Sequence, residues 1–106
     1  MATYEDFKKL DFRVAEIIEA AVHPNADKLL VLKVSLGAET RQIVAGIRSS
    51  YPPETLIGKK IVVIANLDPA VIRGEQSNGM LLAASDASGH AILSPERDIE
   101  TGSIVK

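Results

Sequence analysis

The apolar residues of this chain come in short runs that alternate with polar ones, and no run keeps a helical period for more than a turn or two. In "LLVLKVSL" (29–36), Leu30, Leu32, Val34 and Leu36 fall on one face and Lys33 and Ser35 on the other, the period-two pattern of a strand with one side in a core. "RQIVAGI" (41–47) repeats it with Ile43, Ala45 and Ile47 inward, and the intervening "GAET" is hairpin-sized. A longer run, "DFRVAEIIEAAVHP", alternates at Phe12 and Val14, slips phase around Glu16 and resumes at Ile18, Ala20 and Val22, which predicts one long strand with a bulge or strong bend. Further strands are predicted at "KKIVVIANL" (59–67) and "NGMLLAAS" (78–85), with shorter edge pieces at "HAIL" and "SIV". Pro52-Pro53 interrupts the third run, "PPETLIG" reads as a helical turn, and Asp68-Pro69 and Asn78-Gly79 read as turns.

The chain start carries the one helix signal: Thr3 as cap, Glu5 and Asp6 in the first turn, Lys8 and Lys9 in the last. Tyr4, Phe7 and Leu10 then share a face that is expected to dock onto the barrel or a neighbouring subunit. Five or more short strands with one mid-chain helical turn predict an all-β fold, a five-stranded Greek-key barrel of the OB type with a short N-terminal helix and a C-terminal extension. At 106 residues and 46% hydrophobic, residues 1–106 have material for one core and are expected to form a single domain.

Composition narrows the chemistry. There is no cysteine, and His23 and His90 lie far apart without ligand spacing, so disulfides, thiolate nucleophiles, a metal site and a cofactor are not expected. "MATYEDFKKL" has no signal-peptide apolar region, and no apolar run nears the roughly 18 residues that span a bilayer. A soluble, cytoplasmic protein with no membrane partner is expected. The stretch "RGEQSNGMLLAASD" (73–86) contains a glycine-bounded loop, but it leads into a strand and not into a helix N-terminus with a Lys-Ser/Thr, so it is not a nucleotide loop. Ser77 has no histidine near it in sequence and no Gly-x-Ser-x-Gly elbow around it. Catalysis is not expected.

The net charge is −2, yet between Lys28 and Arg73 seven cations, Lys28, Lys33, Arg41, Arg48, Lys59, Lys60 and Arg73, face three acids, Glu39, Glu54 and Asp68. The acidic excess sits beyond Ser85, in Asp86, Glu96, Asp98 and Glu100. A basic middle suits a phosphate backbone. The aromatics are only Tyr4, Phe7, Phe12 and Tyr51; the first two are assigned to helix packing and Phe12 to the core, which leaves one ring. Bases cannot be stacked on one ring, so a nucleic-acid partner would be read by phosphate position and folded shape, as structured RNA is.

Four stretches, "HPNADKL" (23–29), "RQIVAGI" (41–47), "GKKIVVIANLDP" (58–69) and "RGEQSNGMLLAAS" (73–85), together resemble the tRNA-binding domain of the methionyl-tRNA synthetase C-terminus, of free-standing dimeric tRNA-binding proteins and of multisynthetase-complex cofactors. The likeness covers nearly the whole chain, with one departure: Asn78 stands in Ser77-Asn78-Gly79-Met80 where the family commonly has Glu or Gln. The resemblance implies an OB-fold homodimer that binds the outer corner of folded tRNA with little sequence specificity. It would supply tRNA affinity to an aminoacyl-tRNA synthetase of the methionyl type, in cis or in trans, without catalysis of its own. At matching positions Lys28, Arg41, Asn66, Ser77 and Met80 would line the RNA-facing side, Met80 through the resemblance alone. Lys33 and Arg73 join on charge and outward direction, while Lys59 and Lys60 are assigned to a solvated strand start. Three alternatives are weighed: the corresponding domain of phenylalanyl-tRNA synthetase β subunits, which shares the "HPNADKL" element but which "ANLDP" fits less well than the methionyl type; a dimeric, secretion-linked chaperone of the same barrel that binds unfolded polypeptide; and a barrel that only assembles subunits.

Overall fold

The polypeptide was analysed as a computed structural model that describes all of residues 1–106. The chain opens with α1 (Tyr4–Lys8), a single turn and a half set by a capping box: Thr3 Oγ1 accepts from the Asp6 N–H at 3.2 Å, and the Asp6 carboxylate accepts from the Thr3 N–H at 3.0 Å. Four strands follow, β1 (Phe12–Val22), β2 (Leu30–Ser35), β3 (Thr40–Ala45) and β4 (Lys60–Ile64), with a 3-10 turn at Pro53–Thr55 between the last two. Then come β5 (Ala70–Ile72), β6 (Glu75–Ser77), β7 (Met80–Leu81), β8 (Ala83–Asp86), β9 (Gly89–Ile92) and β10 (Ile104–Val105).

The main sheet runs β3-β2-β1-β4-β7, antiparallel throughout, with β10 against the first residues of β1. The phase slip in β1 is a bulge: pairing with β2 shifts register between Ile17 and Glu19, leaving Ile18 outside the ladder. β1 therefore bends far enough to pair β4 with its first half and β2 with its second. The sheet curls into a nearly closed barrel, and the closure is made by few groups. The Asn78 N–H donates to the Gln42 carbonyl at 2.8 Å, and the Val44 N–H donates to Ser77 Oγ at 3.0 Å, joining the end of β6 to β3.

Inside lie Ile17, Leu30, Leu32, Val34, Ile43, Leu56, Ile61 and Val63, all essentially inaccessible. Each such side chain stabilises the barrel by about 1.5–3 kcal/mol relative to exposure. Ile43, Ala45 and Ile47 point inward as the alternation predicted. Three details differ. Phe12 is only half-buried and stacks outside the core on Phe7, ring centroids 5.3 Å apart. The predicted strand 78–85 is two, β7 in the barrel and β8 in a separate hairpin with β9. Residues 70–77, which have no strand pattern of useful length, form a third hairpin, β5–β6.

Candidate nucleic-acid interface

In OB-type barrels the ligand face is formed by the second and third strands together with the loops after the first and fourth strands. Here those loops are residues 23–29, between β1 and β2, and 65–79, which contains the β5–β6 hairpin. The two loops touch. The β5–β6 turn is Arg73-Gly74, with φ of 53° and 91°, so both central residues are left-handed, the conformation that suits a two-residue hairpin. Arg73 Nη2 donates to the Asn25 carbonyl at 3.4 Å. From the other side Arg48 Nη1 donates to the Asp27 carbonyl at 2.9 Å. Lys28 is exposed in the same loop.

Of the cations gathered here, none has an acidic partner: Lys28, Arg48 and Arg73 take part in no ion pair. Lys33 stands exposed on the outer face of β2, with Glu19 at 3.7 Å and Gln42 opposite it on β3. Gln42 Nε2 donates in turn to the Gln76 carbonyl at 2.9 Å and to Glu75 Oε1 at 3.3 Å, which fixes the hairpin against β3. Lys28, Lys33 and Arg73, three residues singled out from sequence, are thus brought to one connected face. Arg48, Gln42 and Gln76 join them. Arg48 was visible as part of the basic middle, but Gln42 and Gln76 carried no signal beyond their outward phase.

The other four sequence-derived residues are engaged by contacts within the chain or line neighbouring clefts. Arg41 is at the far end of the β2–β3 ladder, where Nη1 donates to the Ala65 carbonyl at 2.7 Å and the Asn78 carbonyl at 3.3 Å, while Nη2 pairs with Glu39 at 3.0 Å. It lines a cleft of about 150 Å³ with Asp11, Arg13 and Glu39. Asn66 staples α1 to the end of β4: its Oδ1 accepts from the Asp11 N–H at 2.7 Å, and its Nδ2 donates to the Lys9 carbonyl at 2.8 Å. Ser77 is 4% exposed, and its hydroxyl accepts from Val44 N–H and donates to the Gly79 carbonyl at 3.0 Å. Both of its hydrogen-bonding roles are used. Gly79 follows at φ 131°, and a Cβ there would sit 2.9 Å from the Ile64 carbonyl, so the chain comes this close to the end of β4 before pairing with it only because this residue has no side chain. Met80 is 46% exposed and opens a groove of about 520 Å³ whose apolar lining includes Val44, Ile47, Leu67, Ile72 and Leu82.

One histidine–serine pair was not seen from sequence. Ser85 and His90 are cross-strand neighbours on β8–β9, Ser85 Oγ 2.7 Å from His90 Nδ1. Asp86 beside it accepts from the Ser88 hydroxyl and then its N–H, which holds its carboxyl below its ordinary value. The pair is solvent-facing register pairing, with Asp86 turned to Ser88 and away from the imidazole.

Residues 12–104 match the family described as "Putative tRNA binding domain". This chain belongs to that family. Among similar proteins, the methionine–tRNA ligase of Pyrococcus horikoshii is 50% identical over 103 residues, covering 97% of this chain and 14% of the ligase. That of Chloroherpeton thalassium is 50% identical over 105 residues, 98% of this chain and 15% of the ligase. The chain therefore spans about one seventh of the synthetases it matches. Among solved structures, a methionyl-tRNA synthetase-related protein from Pyrococcus horikoshii superposes with a TM-score of 0.92 at 32% identity, over 100% of this chain and 98% of that one. The chaperone CsaA from Bacillus anthracis superposes with a TM-score of 0.91 at 30% identity, over 100% and 99%. The family is one of binding modules, in agreement with the expectation of a tRNA-binding barrel without catalysis of its own.

Proposed function

We propose that this domain binds the outer corner of folded tRNA with little sequence specificity and supplies tRNA affinity to a methionyl-type synthetase, in cis or in trans. The observation that carries the reading is the convergence of Lys28, Arg48 and Arg73, cations without acidic partners, where the 23–29 loop meets the β5–β6 turn, with Lys33 on the adjoining strand. Lys28, Lys33 and Arg73 contact phosphates. Arg41, Asn66 and Ser77 hold the barrel seam and the helix that frame this face, and Met80 borders it. Arg73 supports this assignment by its conformation: a side chain in the left-handed region costs about 1 kcal/mol or more, and such strain persists where a position is used.

The test is a salt titration of tRNA binding for the parent, Lys28→Ala and Arg73→Ala. Each variant should weaken every tRNA about equally and flatten the salt slope by about one unit, because one phosphate contact and its displaced counterion are lost. Unchanged slopes in both variants would refute the phosphate role. A second reading, capture of unfolded polypeptide, is favoured by the apolar groove behind Met80. Under that reading Met80→Glu abolishes peptide binding while the tRNA salt slope stays as it was.

The domain works as a homodimer on this proposal. α1 buries none of its residues within the chain, and Tyr4, at 71% exposed, and Ile104, at 66%, leave apolar surface uncovered at the N- and C-terminal segments. A second copy would cover it by isologous contact.

A further inference from the structure

His23 directly follows β1 and is 3% exposed, yet its ring makes two polar contacts. Nδ1 accepts from the Asn25 N–H at 2.9 Å, so Nδ1 carries no hydrogen; the hydrogen is on Nε2, which lies 2.9 Å from the Ile72 carbonyl and donates to it. One ring thus satisfies a donor in the 23–29 loop and an acceptor in β5, two segments 49 residues apart in the chain. Ile72 is followed directly by Arg73, whose guanidinium returns to the Asn25 carbonyl. Residues 23–25 and 72–73 are therefore closed into a clasp by three hydrogen bonds, with a neutral imidazole of fixed tautomer at its centre. The β5–β6 hairpin belongs to no larger sheet: its backbone ladder is with itself alone. At its turn end the bonds of this clasp are what tie it to the loop that carries Lys28.

We infer that His23 is a positioning residue for RNA binding: it fixes the spacing between Arg73 and Lys28, and with it the preference for phosphates at the separations a folded RNA presents. This rests on the tRNA-binding function proposed above. A flexible single strand can adapt its phosphates to a loose pair of cations, whereas a folded RNA cannot. Loosening the clasp should therefore penalise folded RNA selectively, with the phosphate charges still in place.

Two conservative variants separate the ring's two bonds. In His23→Asn the amide oxygen can take the place of Nδ1 and accept from Asn25, but the side chain is too short to reach Ile72. In His23→Gln the amide nitrogen can take the place of Nε2 and donate to Ile72. Cysteine is absent from the chain, so spin labels at Ser49→Cys and Val71→Cys, both exposed, report the hairpin position directly without RNA. His23→Asn should broaden the label distance distribution and weaken folded tRNA by about tenfold, the scale of one buried bond left unmade, with an unstructured oligomer of equal length within twofold of the parent and the salt slope unchanged. His23→Gln should keep a narrow distance and most of the discrimination. Nitrogen chemical shifts should show the Nε2-protonated tautomer in the parent. A narrow distance in His23→Asn, or equal losses on both RNAs, overturns the inference. A parent that binds neither RNA overturns the function instead, and the label distances still decide whether the clasp exists.

Discussion

Removing the Ser77 hydroxyl would leave the Val44 N–H buried with no acceptor, since Val44 is 7% exposed and Ser77 is its partner across the seam. Ser77→Ala should therefore destabilise the domain by about 1–3 kcal/mol in a urea denaturation, more than the loss of an exposed hydroxyl would. A shift too small to measure would show that water or a relaxed strand replaces the oxygen. The sequence pointed to Ser77 through the family motif, but what its oxygen touches depends on a strand 33 residues away, which no local pattern encodes. Arg41 and Asn66 are alike in this: the residue types suited a phosphate, and only the tertiary fold supplies the carbonyls and N–H that occupy them. That Lys28 and Arg73 would stand exposed was legible because an exposed cation needs no partner.

At the scale of elements, strands with a core face were readable and those without one were not. β2 alternates over its six residues and β3 buries Ile43, Val44 and Ala45 in a row, so burial wrote both strands into the sequence. β5 and β6 have three residues each, and their turn places an arginine where asparagine or glycine is the usual signal, so the hairpin was invisible. The same substitution makes a prediction. Arg73→Asn should relieve the left-handed strain and raise stability by about 0.5–1 kcal/mol while weakening tRNA binding, a trade between stability and use. Thermal melts and a binding titration on one sample would check it, and a variant that loses both or gains both would contradict it. The C-terminal segment is tied down differently. Lys60 donates to Asp98 at 2.9 Å, and this hydrogen bond, then the lysine's charge, holds the Asp98 carboxyl below its ordinary 3.8. A depressed carboxyl contributes stability above its unfolded value and loses it as pH falls through the folded one. The protection of amides near Ile99, taken relative to their intrinsic exchange rate, should therefore fall below pH 3.8 in the parent and be low at every pH in Lys60→Met. Protection insensitive to acid would show that the Ile99 carbonyl bond from Lys60 suffices.

For the whole molecule, the barrel type followed from strand count and the absence of any long helix, and the apolar face of α1 followed from its spacing; that the barrel leaves this face largely uncovered followed only from the structure. The capping box makes a helix of five residues, too short to be stable by itself, and within the chain its apolar side has only the Phe7–Phe12 stack. The homodimer proposal accordingly predicts sedimentation as a dimer at tens of micromolar protein, and dissociation when Tyr4 and Ile104 are both replaced by lysine. A monomeric parent would leave that face to another partner.

The unpaired cations surround the loop after β1, whereas the acidic C-terminal segment is anchored by Lys60, opposite Glu16 in the middle of β1, and by β10 at the start of that strand. The molecule measures 37 Å along its longest axis, and in physiological salt the screening length is about 8 Å. A polyanion arriving at the basic end therefore does not sense the acidic one, and the net charge of −2 has no bearing on the encounter. Only in very dilute buffer, where screening extends to about 30 Å, does the far end enter the field. There the domain stops behaving as a local patch of positive charge and becomes a dipole, which turns to face its partner before it binds.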